Sequence, residues 1–153
     1  MPTKARVLPR VLVDALREAD LILHAGDFTS RVFYDEVRSF GRLEAVYGNA
    51  DPLELRLELP KRLVVEVDAA RIGLAHGDGM SGTALQRARR GFETGQTVNA
   101  IVFGHQHYPY CEYHDGVLCF SPGSPTDPRR APRPSFGILH VQGNQVRGEI
   151  VWL

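Results

Sequence analysis

Four short apolar segments of this chain each run directly into a loop that pairs glycine with a residue able to bind a metal ion. Leu21-Ile22-Leu23 leads into His24-Ala25-Gly26-Asp27, and Leu43 to Tyr47 leads into Gly48-Asn49-Ala50-Asp51. Ile72 to Ala75 leads into His76-Gly77-Asp78, and Ala100 to Phe103 leads into Gly104-His105-Gln106-His107. Apolar runs of this length, closed by turn residues, suit buried strands. If the strands are parallel, their carboxyl ends share one edge of a sheet, where α/β proteins bind ligands. The glycines permit tight turns and close backbone approach there.

The intervening segments fit that plan. Leu8, Val11, Leu12, Ala15 and Leu16 recur at helical spacing and predict a helix over 8–19. Thr29 or Ser30 can cap a second helix that runs to about Phe40 and ends at Gly41. Leu63 to Val67 and Ile72 to Ala75 flank a short turn and predict a hairpin, and a third helix fits Gly82 to Arg90. Strands are expected at 110–114, 117–120, 135–141 and 146–152, with an irregular loop from Pro122 to Pro134 that holds five of the ten prolines. Strand and helix alternate through the first two-thirds and strands dominate the last third, so the fold class is α/β with a parallel portion and antiparallel extensions. A length of 153 residues is one domain's worth, and 1–153 is read as a single domain.

The composition narrows the function classes. Lys+Arg and Asp+Glu are 18 each, so the formal net charge is zero and a long basic groove for extended nucleic acid is disfavoured. No apolar run approaches the roughly 20 residues of a membrane span. Met1 to Arg6 lead into the amphipathic segment and not into an apolar leader, which gives a cytoplasmic address. Cys111 and Cys119 form no disulfide framework and read as small core residues. A second copy of the chain, forming a homo-oligomer, is left open as a partner.

The strand-end loops together offer Asp27, Asn49, His76, His105 and His107. Mixed imidazole, carboxylate and amide donors suit Mn, Fe, Ni or Zn and match poorly with the oxygen cages that hold Ca. At a loop, His105 and His107 can splay toward two different metals. His24 reads as a buried, hydrogen-bonded histidine, Asp51 as a residue that fixes its loop or supports a ligand, and Asp78 as a supporting or solvated carboxylate. His114 sits at a hairpin turn and His140 within a late strand, both away from the constellation. The arginines of 87–90 and 129–133 read as solvated surface.

In order, Leu23-His24-Ala25-Gly26-Asp27, Tyr47-Gly48-Asn49-Ala50-Asp51, Ala75-His76-Gly77-Asp78, Gly104-His105-Gln106-His107 and Ser121-Pro122-Gly123-Ser124 resemble the motifs of the calcineurin-like metallophosphoesterase superfamily. The chain is most similar to its small prokaryotic phosphodiesterase branch, which shares its fold with a retromer subunit. The resemblance implies a four-layer α/β/β/α sandwich with a two-metal centre. It implies that Asp27 bridges both ions, that Asn49, His76 and His105 complete one site, and that His107 reaches the other. Asn49 would also lie near the substrate phosphate. The implied activity is that of a hydrolase, a metal-dependent phosphodiesterase that attacks small phosphodiesters with a metal-bound hydroxide.

The family's first strand ends in an Asp-x-His motif, and no Asp-x-His occurs in these 153 residues. The expectation is therefore a sandwich without its first central strand and with exposed strand edges. One metal site would be complete, and a second would keep only Asp27 and His107, so that this chain binds one ion. A displaced start codon, a truncation or true loss of a site each account for the pattern. An upstream Asp-x-His would then raise activity by orders of magnitude. The other reading is a non-catalytic protein-interaction module on the same fold.

Overall fold

The computed structural model describes residues 7–95 and 97–153; Met1 to Arg6, read above as a lead-in, lie outside them. The elements in chain order are α1 (Arg10–Glu18), β1 (Ile22–His24), α2 (Arg31–Ser39), β2 (Leu43–Ala45), α3 (Leu53–Glu58), β3 (Arg62–Val67), β4 (Ala70–Ala75), α4 (Ala84–Arg90), β5 (Ala100–Phe103), β6 (Pro109–His114), β7 (Val117–Pro122), β8 (Ser135–Gln142) and β9 (Gln145–Trp152). Among the described residues, no helix is long and apolar enough to cross a membrane.

The predicted strands are all present and their pairing follows their sequence character. A five-stranded sheet has the order β3-β4-β5-β7-β6. β4, β5 and β7 run parallel, with Ile72 opposite Ala100 and Ala100 opposite Leu118, and the hairpin partners β3 and β6 flank them antiparallel. The central strands are apolar on both faces because both faces are covered, as parallel sheets require.

Four layers result. One face of the large sheet meets α4 through Ala84, Ala88, Ile101, Phe103 and Cys119. The other face meets two ribbons, parallel β1–β2 and antiparallel β8–β9, through Ile72, Leu74, Val102, Phe120, Val46 and Val146. Outside the ribbons lie α2 and α3, packed on Ile22 and Ala45, and α1, whose Leu12, with Leu8 just before the helix, meets Phe136. This is the four-layer α/β/β/α arrangement, and its second sheet layer consists of two ribbons that share no ladder among the described residues.

Capping explains several boundaries. The Ser30 hydroxyl accepts from the Phe33 amide and starts α2. Thr83 and Gln86 form a reciprocal capping box that starts α4. The sequence reading has no element at 53–58, where structure shows α3. Leu53-Glu54-Leu55-Arg56-Leu57-Glu58 alternates with a period of two, a pattern that hides a helix. Only Leu55 is buried, while Leu53 and Leu57 are 70% and 78% exposed. The cysteine reading needs correction too. Cys111 stands opposite Phe120 and Cys119 opposite Glu112, so the thiols point to different faces. Cys119 is buried, but Cys111 is exposed.

Candidate metal centre

The site begins with two glycines. Gly26 and Gly48 bring the loops after β1 and β2 back to back. A Cβ on Gly48 would stand 2.2 Å from Asp27 Oδ1, and one on Gly26 would stand 2.7 Å from the Gly48 nitrogen. No side chain fits at either place without moving backbone. The loops are then stapled by Asp51, only 4% exposed. Its Oδ2 accepts from the amides of Asp27 (3.0 Å) and Gly48 (2.7 Å), and its Oδ1 accepts from that of Thr29 (2.9 Å). Asp27 itself has φ 64°, and its Oδ1 accepts from the Ala50 amide at 2.8 Å. These contacts aim Asp27 Oδ2 away from the loops and toward the end of β4.

There it meets His76, which is buried beyond the last residue of β4. The His76 Nδ1 lies 2.7 Å from the Ala25 carbonyl and donates to it. That bond fixes Nε2 as the outward nitrogen. Around it stand Asp27 Oδ2 at 3.1 Å, Asn49 Oδ1 at 2.9 Å and His105 Nδ1 at 3.2 Å. Asp27, His76 and His105 each offer a ligand atom, and these atoms lie within 4.8 Å of one another. One proton on Nε2 cannot satisfy three acceptors at once. A divalent cation can, because each surrounding atom presents a lone pair and none needs a hydrogen. Carboxylate, imidazole and amide donors in this number suit Mn, Fe, Ni or Zn.

The electrostatics carry the same imprint. Burial opposes the charged form of His76, but the hydrogen bond and charge of Asp27 outweigh it and raise the imidazole pKa. Burial pushes the Asp27 carboxyl up, and the hydrogen bond and charge of His76 with the Ala50 amide more than reverse this, leaving it lowered. His105 is lowered, first by burial and then by the positive surroundings of His76 and Arg87. A lowered imidazole pKa favours the neutral form, the one that binds metals.

The other candidates occupy different places. His107 does not join the cluster among the described residues. Its Nδ1 lies 2.6 Å from the Asp127 carbonyl, which leaves Nε2 as its second nitrogen. Asp78 likewise stands outside the ligand set and acts on His76 and His105 through its charge. His24 stacks flat on Phe28 with ring centroids 3.7 Å apart, and its Nδ1 accepts from the Gly26 amide at 3.1 Å. Sequence reasoning missed Arg56 of α3, whose guanidinium donates to the carbonyls of Asn49 and Asp51 and holds the loop against the helix. No signal for it was available while α3 itself was hidden.

Loss of water around the His24 ring, with the nearby His76 charge, lowers its pKa to about 4. The unfolded chain takes up this proton near the ordinary value of 6.5, whereas the folded chain refuses it until about 4. Stability is therefore full above that window and falls as the pH descends through it, by up to about 1.4 kcal/mol per pH unit from this residue. Urea midpoints at several pH values, for the native chain and His24→Phe, check this. A variant with an undiminished acid slope would contradict it.

Comparison with known proteins gives the chain's family. The sequence pattern of the calcineurin-like phosphoesterase superfamily domain matches residues 4–144. A probable metallophosphoesterase of Methanothermobacter thermautotrophicus is 34% identical over 152 residues, spanning 99% of this chain and 86% of that protein. Among solved structures, zinc-complexed wild-type Vps29 of Entamoeba histolytica superposes with a TM-score of 0.75 at 23% identity, over 99% of this chain and 93% of that one. A novel archaeal phosphodiesterase superposes with a TM-score of 0.72 at 21% identity, over 93% of this chain and 90% of its own. With a family match that covers nearly all of its length, this chain belongs to the calcineurin-like phosphoesterase superfamily.

Proposed function

We propose that the chain is a metal-dependent phosphoesterase whose substrates are small phosphodiesters. The observation that carries the reading is the convergence of Asp27, Asn49 and His105 on His76 Nε2. Asp27, Asn49, His76 and His105 would hold one divalent cation, of Mn, Fe, Ni or Zn type. Such an ion supplies Lewis acidity toward a phosphoryl oxygen and lowers the pKa of nearby water.

The residues divide the remaining work. Asp27 and His105 present their lone pairs from glycine-tight loops, so little ordering is left for the moment of binding. His76 is oriented by the Ala25 carbonyl, the kind of support a metal-binding imidazole usually has. Asn49 is exposed. With Oδ1 directed at His76, its Nδ2 is left to donate to a phosphoryl oxygen of the substrate. In the reaction, the oxygen of water forms a bond to phosphorus and releases a proton to solvent as the ester P–O bond breaks, and the departing oxygen gains a proton from solvent. His107, with Nδ1 engaged at Asp127, keeps Nε2 for the outer side of the substrate or for a second ion. A cytoplasmic address belongs to the same proposal.

The test is hydrolysis of bis(p-nitrophenyl) phosphate after metal loading, with metal content measured on the same sample. Turnover that a chelator abolishes and Mn restores supports the reading. Tight binding of a cation without any turnover would overturn it in favour of an interaction module on the same fold.

A further inference from the structure

Beside His76, a cavity of about 150 Å³ opens between the end of β4, the start of β3 and α4. Its charged lining is Lys61, Arg62, Arg87 and Arg90 against one carboxylate, Asp78. In a chain of zero net charge this is a local concentration of four cations. Arg89, their neighbour, pairs with Asp115 at 3.8 Å, whereas none of the four makes a salt bridge to a carboxylate among the described residues. Two of them are held in place by backbone oxygens. Arg87 donates from Nε to the Gly77 carbonyl at 2.8 Å and from Nη1 to that of Gly82 at 2.5 Å. Arg90 donates from Nη2 to the Ser81 carbonyl at 2.8 Å. Carbonyls orient a guanidinium without neutralising it, so the charge stays available to a ligand. The sequence reading of the arginines at 87–90 as solvated surface is corrected here for Arg87, which is half-buried.

We propose that this cavity is a subsite for a second phosphoryl group of the substrate, so that the chain prefers phosphodiesters bearing a further terminal phosphate. The assignment rests on the phosphoesterase reading and deepens it. His76 belongs both to the ligand cluster and to the cavity lining, so the two places adjoin. Guanidinium groups bind phosphate through paired, charge-assisted hydrogen bonds, and a pocket lined by one sign of charge concentrates the opposite sign.

The experiment has a binding arm and a rate arm. Thymidine bisphosphate and thymidine monophosphate are titrated calorimetrically into the protein at low ionic strength with chelator present, so that no metal contributes. The bisphosphate is expected to bind about tenfold more tightly, and Arg62→Gln/Arg90→Gln is expected to erase the difference. Arg10→Gln/Arg147→Gln removes the same charge from α1 and β9, outside the cavity, and should preserve it. Equal affinities in the native chain, or an equal loss in both double variants, would overturn the subsite. In the rate arm, the p-nitrophenyl esters of the same two nucleotides are compared after metal loading. Hydrolysis of both at equal kcat/KM removes the subsite and keeps the phosphoesterase reading. Hydrolysis of neither, with the bisphosphate still preferred in binding, removes the phosphoesterase reading and keeps the anion site.

Discussion

Replacing His76 by alanine is expected to lower kcat/KM for an aryl phosphodiester by at least about a thousandfold. It should also abolish the rise in melting temperature expected of the native chain when a divalent cation is added. The expectation follows from position. Three lone-pair atoms surround His76 Nε2 within 3.2 Å, and with Asp27 and His105 it makes up the ligand cluster. Removing the ring takes away a ligand and also unfastens the Ala25 carbonyl, so Asp27 and His105 lose their common reference. The metal-dependent thermal shift separates this role from a structural one, because a merely structural histidine would lower the melting temperature with and without metal alike. The cation also competes with the proton that His76 holds above its ordinary range, so affinity should strengthen as the pH rises. A variant that keeps the thermal shift and more than a tenth of the rate would contradict the assignment.

The second large effect is expected at Asp51. Asp51→Ala should cost about 3–4 kcal/mol of stability, since three backbone amides lose their charged acceptor together in a site that water scarcely enters. A melting temperature lower by about 10 °C is the corresponding reading for a chain of this size. Asp51→Asn should recover less than half, because the amide can retain one acceptor but turns a donor toward another N–H. The damage should reach the metal as well, since the Asp27 amide is one of the three. A loss under 1 kcal/mol would show that the two loops hold their shape without the staple.

Most of the secondary structure was legible in the sequence for a simple reason. Segments such as Ala100 to Phe103 and Leu118 to Phe120 are apolar on both faces, and only a central strand buries both. Residues 53–58 were illegible because α3 buries one residue, Leu55, and an alternating sequence can meet that demand as well as a periodic one. The roles of Arg56 and Arg87 were illegible for another reason. Their partners are the backbone carbonyls of Asn49, Asp51, Gly77 and Gly82, and carbonyls leave no mark in a sequence. Asp51 was named as a loop residue, yet nothing in the chain's order says that it grips the loop of Asp27, 24 positions away.

The order of residues alone supplies an inventory: buried strands, each followed by a glycine loop with ligand-capable side chains, in an order that resembles one superfamily. That much is local, since strand burial, turn conformation and donor chemistry are properties of neighbouring residues. Only the tertiary structure decided which donors meet. Asp27, Asn49, His76 and His105 come together because parallel pairing places successive strand ends on one edge and because Gly26 and Gly48 let two loops touch. His107, two residues from His105, turns instead to Asp127. Convergence within a few ångströms depends on register and backbone direction summed over the whole sheet, and no short stretch of sequence carries that information.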